Sequence, residues 1–232
     1  MTDSGYNQFC PVAMAAEIIS TRWTLLLLRE LIMGSSRFNE LRRGLPRLSP
    51  ALLSKRLKEL EAAGIVARTA IGHDPDVHEY RVTEAGMELR PIIEMVGVWG
   101  QRWVTSEATL NNLDADLLMW DVRRNINTEP MPRKRNTIEF IFSGLPASQR
   151  NYWLIVEPDK PVDLCVVDPG FDVDVYVSTD LRTMTSIWLG YTDIARAIAD
   201  GGIILTGSKT LTADLTKWLK LSVFAKVEKQ VA

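Results

Sequence analysis

At 232 residues the chain has room for two domains of ordinary size. Its 46% apolar and 24% charged residues are the balance of a globular protein, not of a disordered or fibrous one. No run approaches the roughly 18 uncharged apolar residues that a membrane-spanning helix requires. The first ten residues hold no basic segment followed by an apolar run. No membrane partner and no secretory signal are therefore expected, and the cytoplasm is the expected location. Two cysteines 155 positions apart fit neither a disulfide framework nor a structural zinc site. A net charge of −2 conceals a local asymmetry. Residues 1–105 carry 13 Lys or Arg against 12 Asp or Glu, and residues 106–232 carry 14 against 17. Within residues 37–58, Arg37, Arg42, Arg43, Arg47, Lys55, Arg56 and Lys58 stand against Glu40 alone, the footprint of a polyanion partner.

In chain order, residues 12–33 read as one helix, because Trp23, Leu26, Leu27, Glu30 and Leu31 recur at three- and four-residue steps before Gly34. Ser36 is the expected N-cap of a short helix over 37–43, with Phe38 and Leu41 facing inward, broken by Gly44-Leu45-Pro46. Ser49-Pro50 starts the next helix and Gly64 ends it. Residues 65–69 and 79–82 form a hairpin around the polar tip His73-Asp74-Pro75-Asp76. Thr83 then caps a helix to about 104, with Pro91 as a kink. A further helix is expected over 113–124, inside a helical linker of residues 107–136. Strands follow at 137–142, 152–157, 163–168 and 172–178, helices at 180–189 and 192–200, a strand at 203–206 and a helix at 210–221.

Helix, helix, turn, helix and hairpin is the order of a winged helix-turn-helix. In the helix over 50–63, Leu53, Leu57 and Leu60 make one apolar face, while Ala51, Ser54, Lys55 and Lys58 fall on another. Small and hydroxyl side chains near the N-terminus with cations behind them suit a helix that approaches base edges in the major groove. The same pattern also describes a solvated basic face on an ordinary core helix, and periodicity alone does not separate the two. The expected DNA contacts are Ser49, Ala51, Ser54, Lys55 and Lys58 in the groove. Arg37, Arg42, Arg43 and Arg56 are expected on phosphates, with Arg68 or Arg81 at the wing base.

Cys10, Ser20–Thr24, Arg37-Phe38-Asn39-Glu40-Leu41, Leu48-Ser49-Pro50-Ala51-Leu52-Leu53-Ser54, Leu57 to Gly64, Tyr80 to Gly86 and Trp99-Gly100 stand in order over about residues 10–103. This stretch resembles the HxlR-type regulators. The resemblance implies a winged-helix DNA-binding regulator that forms homodimers through its terminal helices, with Leu89, Ile92, Val96, Trp99 and Trp103 as the dimer seam. Periodicity by itself shows only a helix that packs against something. The family often carries a basic residue near the wing tip, where this chain has His73, Asp74 and Asp76, so a wing-to-phosphate contact is put in doubt.

Other constellations are thin. Some relatives of this type use an N-terminal cysteine as an oxidant sensor, which makes Cys10 a redox candidate. With no second cysteine near it in the sequence, an inert, partly packed thiol is the simpler expectation. Cys165, in an apolar strand, reads as core. His73 and His78 do not form a metal-ligand pattern, and Asp168, Asp172 and Asp174 around Pro169-Gly170 fail the spacing of a calcium loop. No phosphate loop, nucleophile elbow or zinc-protease motif is present. The chain is expected to be neither an enzyme nor a cofactor or metal binder.

Overall the expectation is an α+β chain. The winged helix-turn-helix spans 1–106, and an α+β domain over 137–232 has a mostly antiparallel sheet with helices on one face. Through Val173 to Ser178, Asp180-Leu181 and Ile203 to Gly207 with its Leu- and Trp-bearing final helix, this second part resembles the sterol-carrier-protein type of domain. Such a resemblance implies an apolar cavity for a small-molecule effector, with Trp153, Phe171, Met184, Trp188, Tyr191, Trp218 and Leu221 as lining candidates. As single residues they read equally as core. Two alternatives stay open: a purely structural or oligomerisation module, and a lipid carrier.

Overall fold

The structure is a computed structural model that describes residues 5–72 and 77–231. The wing tip His73, Asp74 and Asp76 therefore lies outside the described residues. Contacts divide the chain into two units, Met1–Gly97 and Val98–Ala232.

The first unit opens with α1 (Pro11–Ile19) and α2 (Thr24–Ile32). The single helix expected over 12–33 is two helices, bent by 80°. Trp23 sits at the break with φ +79°, a left-handed conformation that costs a bulky residue on the order of 1 kcal/mol or more. Neither Gly nor Pro marks this break, so helical periodicity reads straight through it. Burial explains it: α2 sinks Leu27 and Leu28 completely into the core, whereas no residue of α1 is buried. Next come α3 (Phe38–Gly44) and α4 (Pro50–Ala62). The Glu40 carboxylate caps α3, accepting from the backbone N–H of Ser36 at 2.8 Å and of Arg37 at 3.0 Å, in place of the expected Ser36 hydroxyl. Ser49 caps α4 as expected, its Oγ accepting from Leu52 N–H at 3.3 Å. Gly64 follows α4 at φ +72°.

Strands β1 (Val66–Ala70) and β2 (His78–Val82) pair antiparallel, from Val66 opposite Val82 to Ala70 opposite His78. A backbone bridge between Arg37 and Glu79 and the bond from Tyr80 N–H to Ser36 O, 2.7 Å, tie this hairpin to the start of α3. The helix expected from Thr83 is interrupted: α5 (Glu84–Met87) stops and α6 (Arg90–Trp103) restarts. Pro91 explains the gap, since it has no N–H to give the Met87 carbonyl and its ring crowds that oxygen. The core joins Leu27, Leu28, Leu31, Leu41, Leu53, Leu57, Leu60 and Val66.

In the second unit, α7 (Ser106–Leu110) and α8 (Ala115–Arg124) precede β3 (Asn136–Ser143), β4 (Asn151–Val156), β5 (Asp163–Cys165) and β6 (Val175–Asp180). Then come α9 (Leu181–Trp188), α10 (Ile194–Ala199), β7 (Ile203–Gly207), α11 (Lys209–Ala213) and α12 (Leu215–Trp218). Residues 107–136 do not behave as a linker. Leu118, Met119, Trp120 and Val122 of α8 are buried in the same core as the sheet. The sheet order is β5-β4-β3-β6-β7. Three of its four pairings are antiparallel, and that of the central strand β3 with β6 is parallel. Ile138, Phe140, Phe142, Leu154, Val156, Val175 and Val177 meet the helices on one face. The other face is not open either, because Thr137, Glu139, Trp153 and Ile155 are also buried. The strand expected over 163–168 ends at Cys165, and the final helix breaks at Asp214 into two short turns.

Candidate nucleic-acid interface

The α4 helix has the two-sided build that a duplex-reading helix needs. Leu53, Leu57 and Leu60 are at most 2% exposed and fix the helix on the core. Ala51, Lys55 and Lys58 point outward, and Ser54 is half-buried beside them. Lys55 Nζ lies 3.9 Å from Glu59 Oε1, a loose exposed ion pair that holds the ammonium weakly. Ser49, at the N-terminus, is exposed while its hydroxyl serves as the cap. These positions place small groups at the leading end of the helix and ammonium groups one to two turns behind.

Arg42 and Arg43 are exposed on α3, and Arg37 is exposed at the N-cap before it. Arg47 is exposed in the connecting turn; it belongs to the basic cluster but was not among the contacts expected from the sequence. Arg56 departs from expectation. Its side chain is only 13% exposed, its Nε donates to Arg22 O at 3.1 Å, and its guanidinium pairs with Glu59. It therefore braces α4 against the segment before α2 and is committed inside the protein. The Arg68 guanidinium lies 3.2 Å from His78 Nδ1, exposed at the wing base. Arg81 is engaged with Glu79 through two bonds of 2.8 and 2.9 Å. That pair holds the Glu79 carboxyl below the usual range, helped by the nearby Arg37 charge.

Under this surface lies a group whose role helical spacing did not disclose. Glu30 is fully buried, accepting from Arg29 at 2.7 Å and from Ser35 Oγ at 3.2 Å. Gly44, at the end of α3, leaves the space the carboxylate fills; a Cβ there would sit 1.9 Å from Glu30 Oε2. The network joins α2 to the end of α3 and so fixes the helix pair that presents α4.

Of the seam residues, Ile92, Val96, Trp99 and Trp103 are exposed on α6, together with Met95 at 63%. Leu89 is different: it packs with Ile93 against the core of its own unit. It occupies the segment where α5 has ended, so the three-and-four spacing counted from it crosses a break. On α1, Val12 and Met14 are likewise exposed, as is Phe9 before it. Cys10 is exposed at the N-terminus of α1, not packed. The backbone of Ala13 and Val12 in the first turn holds its thiol below the ordinary value.

The lining candidates of the second unit separate as well. Met184, Trp188 and Trp218 belong to its packed core, and the Trp218 indole donates to Leu211 O at 2.8 Å. Trp153 is buried on the opposite sheet face, and Phe171 is exposed under the Arg135 guanidinium, 4.0 Å from its ring centroid. Tyr191 carries the Lys229 ammonium, 4.9 Å from its centroid. Leu221 alone of the seven lines a groove of about 710 Å³ beside α10 and α12. Among the described residues no group of His, Cys, Asp and Glu is arranged to hold a metal, and no single helix is long and apolar enough to cross a membrane.

Two helices and a turn set a third, two-faced basic helix outward, and a hairpin is tied to its flank; the first unit is thus a winged helix-turn-helix. The model of the HxlR-like helix-turn-helix family matches residues 18–108. The uncharacterised HTH-type transcriptional regulator YvaP of Bacillus subtilis is 40% identical over 99 residues, which are 42% of this chain and 92% of that protein. The uncharacterised HTH-type transcriptional regulator Rv3095 of Mycobacterium tuberculosis is 42% identical over 95 residues, 40% of this chain and 58% of that protein. Among solved structures, the redox regulator HypR in its reduced form is 38% identical over 40% of this chain and 91% of its own, with a TM-score of 0.38. The chain belongs to the HxlR-like helix-turn-helix family through its first unit.

Proposed function

We propose that this protein is a DNA-binding transcriptional regulator that acts as a homodimer. In this reading α4 enters the major groove, with Ser49, Ala51, Ser54, Lys55 and Lys58 toward the bases and Arg37, Arg42, Arg43 and Arg68 toward phosphates. The observation that carries it is the division of α4 into a fully buried leucine face and an outward face of small residues and lysines. Family membership supports the same reading. Dimerisation draws on the exposed apolar side chains of α6, which water would otherwise solvate at a cost. The second unit, on the resemblance of its sequence to sterol-carrier domains, takes an apolar small molecule. For that molecule to regulate, it must bind the DNA-competent and incompetent states with different affinity.

Lys55→Glu with Lys58→Glu tests the interface. On a duplex selected from random sequence, the double variant should lose gel retardation while its circular dichroism and urea midpoint stay near wild type. The wild type should bind more weakly as salt rises, because displaced counterions drive association. Unchanged retardation by the folded double variant would remove α4 from the interface.

A further inference from the structure

The groove beside α10 and α12 has a chemistry that none of the assignments above specifies. Its floor is Ile194 and Leu219, both buried, and its wall is Leu221 and Val223, the latter 71% exposed. Residues 220–231 carry no helix or strand and run as a strap, pinned by Ser222 N–H to Trp188 O at 2.9 Å. The strap passes so close to the end of α9 that a Cβ on Gly190 would meet Ala225 O at 2.3 Å. Two cations stand on this strap, Lys220 and Lys226, both exposed. Neither makes an ion pair among the described residues, although most other lysines of the second unit do. The one carboxylate at the rim, Asp193, is engaged as the cap of α10, accepting from Arg196 N–H at 2.7 Å. The groove therefore offers an apolar trough and two positive charges without an ion-pair partner among the described residues, against one carboxylate, Asp193, already used as a helix cap. Its volume lies within the range of small-molecule sites, roughly 300–1,000 Å³.

We infer that this groove binds an amphipathic anion, a medium-length aliphatic carboxylate in chemical class. Its chain lies on Ile194, Leu219, Leu221 and Val223, and its head meets Lys220 and Lys226. The inference rests on the apolar-effector reading of the second unit and moves the site from the packed core between sheet and helices to the strap. Charge complementarity selects the head group: an uncharged analogue leaves both ammonium groups without a partner, and a cationic one is repelled.

The test is calorimetric titration of the full-length protein with sodium dodecanoate, dodecan-1-ol and dodecyltrimethylammonium, each below its aggregation concentration. The expected order is saturable binding of the carboxylate, at least tenfold weaker binding of the alcohol, and none of the cation. Lys220→Glu with Lys226→Glu, both exposed, should weaken dodecanoate at least tenfold while leaving the thermal midpoint of the ligand-free protein near wild type. Val223→Asp should weaken carboxylate and alcohol alike. Binding of the alcohol equal to or tighter than that of dodecanoate would overturn the anion assignment while the apolar-effector reading stands. Tight dodecanoate binding that all three substitutions leave unchanged would overturn the location. Failure of every probe would overturn both readings.

Discussion

Gly44 and Gly86 are required for space and not for backbone freedom. A Cβ on Gly86 would stand 2.3 Å from Ile65 O, the carbonyl that already accepts from Thr83 N–H at 3.0 Å. No side chain can yield there, so Gly86→Ala must shift α5 away from the wing base. It should destabilise the protein by about 1–3 kcal/mol, read as a lower urea midpoint at unchanged slope. Glu79 gives a second prediction at this scale. Its two bonds to Arg81 favour the ionised carboxyl and lower its pKa below the unfolded value. A depressed carboxylate contributes stability that is complete above the unfolded pKa and is lost as pH falls through the folded one. The wing anchor is therefore intact at neutral pH and weakens only in acid. An NMR titration should place the Glu79 midpoint below that of an exposed glutamate, and Arg81→Gln should raise it. A midpoint unmoved by that substitution would separate the shift from the pair.

Among the elements, α4 asks one residue to do two things. Ser49 supplies the cap to Leu52 N–H and faces the proposed groove. Its two roles are separable by charge. Ser49→Ala should cost about 1 kcal/mol of stability, the ordinary value of a lost N-cap, read by urea unfolding. Ser49→Asp should keep the cap and nearly all the stability, yet weaken DNA binding sharply, because a carboxylate would then face phosphates. If Ser49→Asp retards DNA as well as wild type does, the N-terminus of α4 lies away from the duplex. The breaks between elements follow a different logic. Proline explains the interruption between α5 and α6, and it was visible in the sequence as a kink. The bend between α1 and α2 follows from burial of Leu27 and Leu28, a property of neighbours distant in the chain.

For the whole molecule, the chain is acidic overall, and its most basic stretch is residues 37–58. Exposed apolar side chains recur along α6, where the proposed homodimer would bury them. Val96→Glu, on that exposed face, should turn a dimer into a monomer by sedimentation at micromolar protein and weaken DNA binding at least tenfold. Little loss of secondary structure is expected, since Val96 is not part of the core. A Val96→Glu protein that still sediments as a dimer would place the seam elsewhere.

The helix-turn-helix was largely legible in the sequence because its information is local. Ser49-Pro50 and Gly64 bound α4 by backbone chemistry, a three-and-four leucine repeat marks its inner face, and the cations cluster within 22 residues. Most strands and helices of the second unit were legible for the same reason, within a few residues at their ends; α7 was not expected, and the final helix is two. Tertiary structure alone decided which charges are free. Arg56 reads from the sequence as one more outward cation with Glu59 one turn on, but only folding brings Arg22 O against its guanidinium. It also decided that Glu30 is a buried strut, that α8 belongs to a core and not to a linker, and that β3 pairs with β6 in parallel. Apolar aromatic residues fill a core or line a site with the same pattern, so Met184, Trp188 and Trp218 could be sorted from Leu221 only by what surrounds them. Periodicity records which face of an element is apolar; what meets that face depends on contacts between residues far apart in the chain.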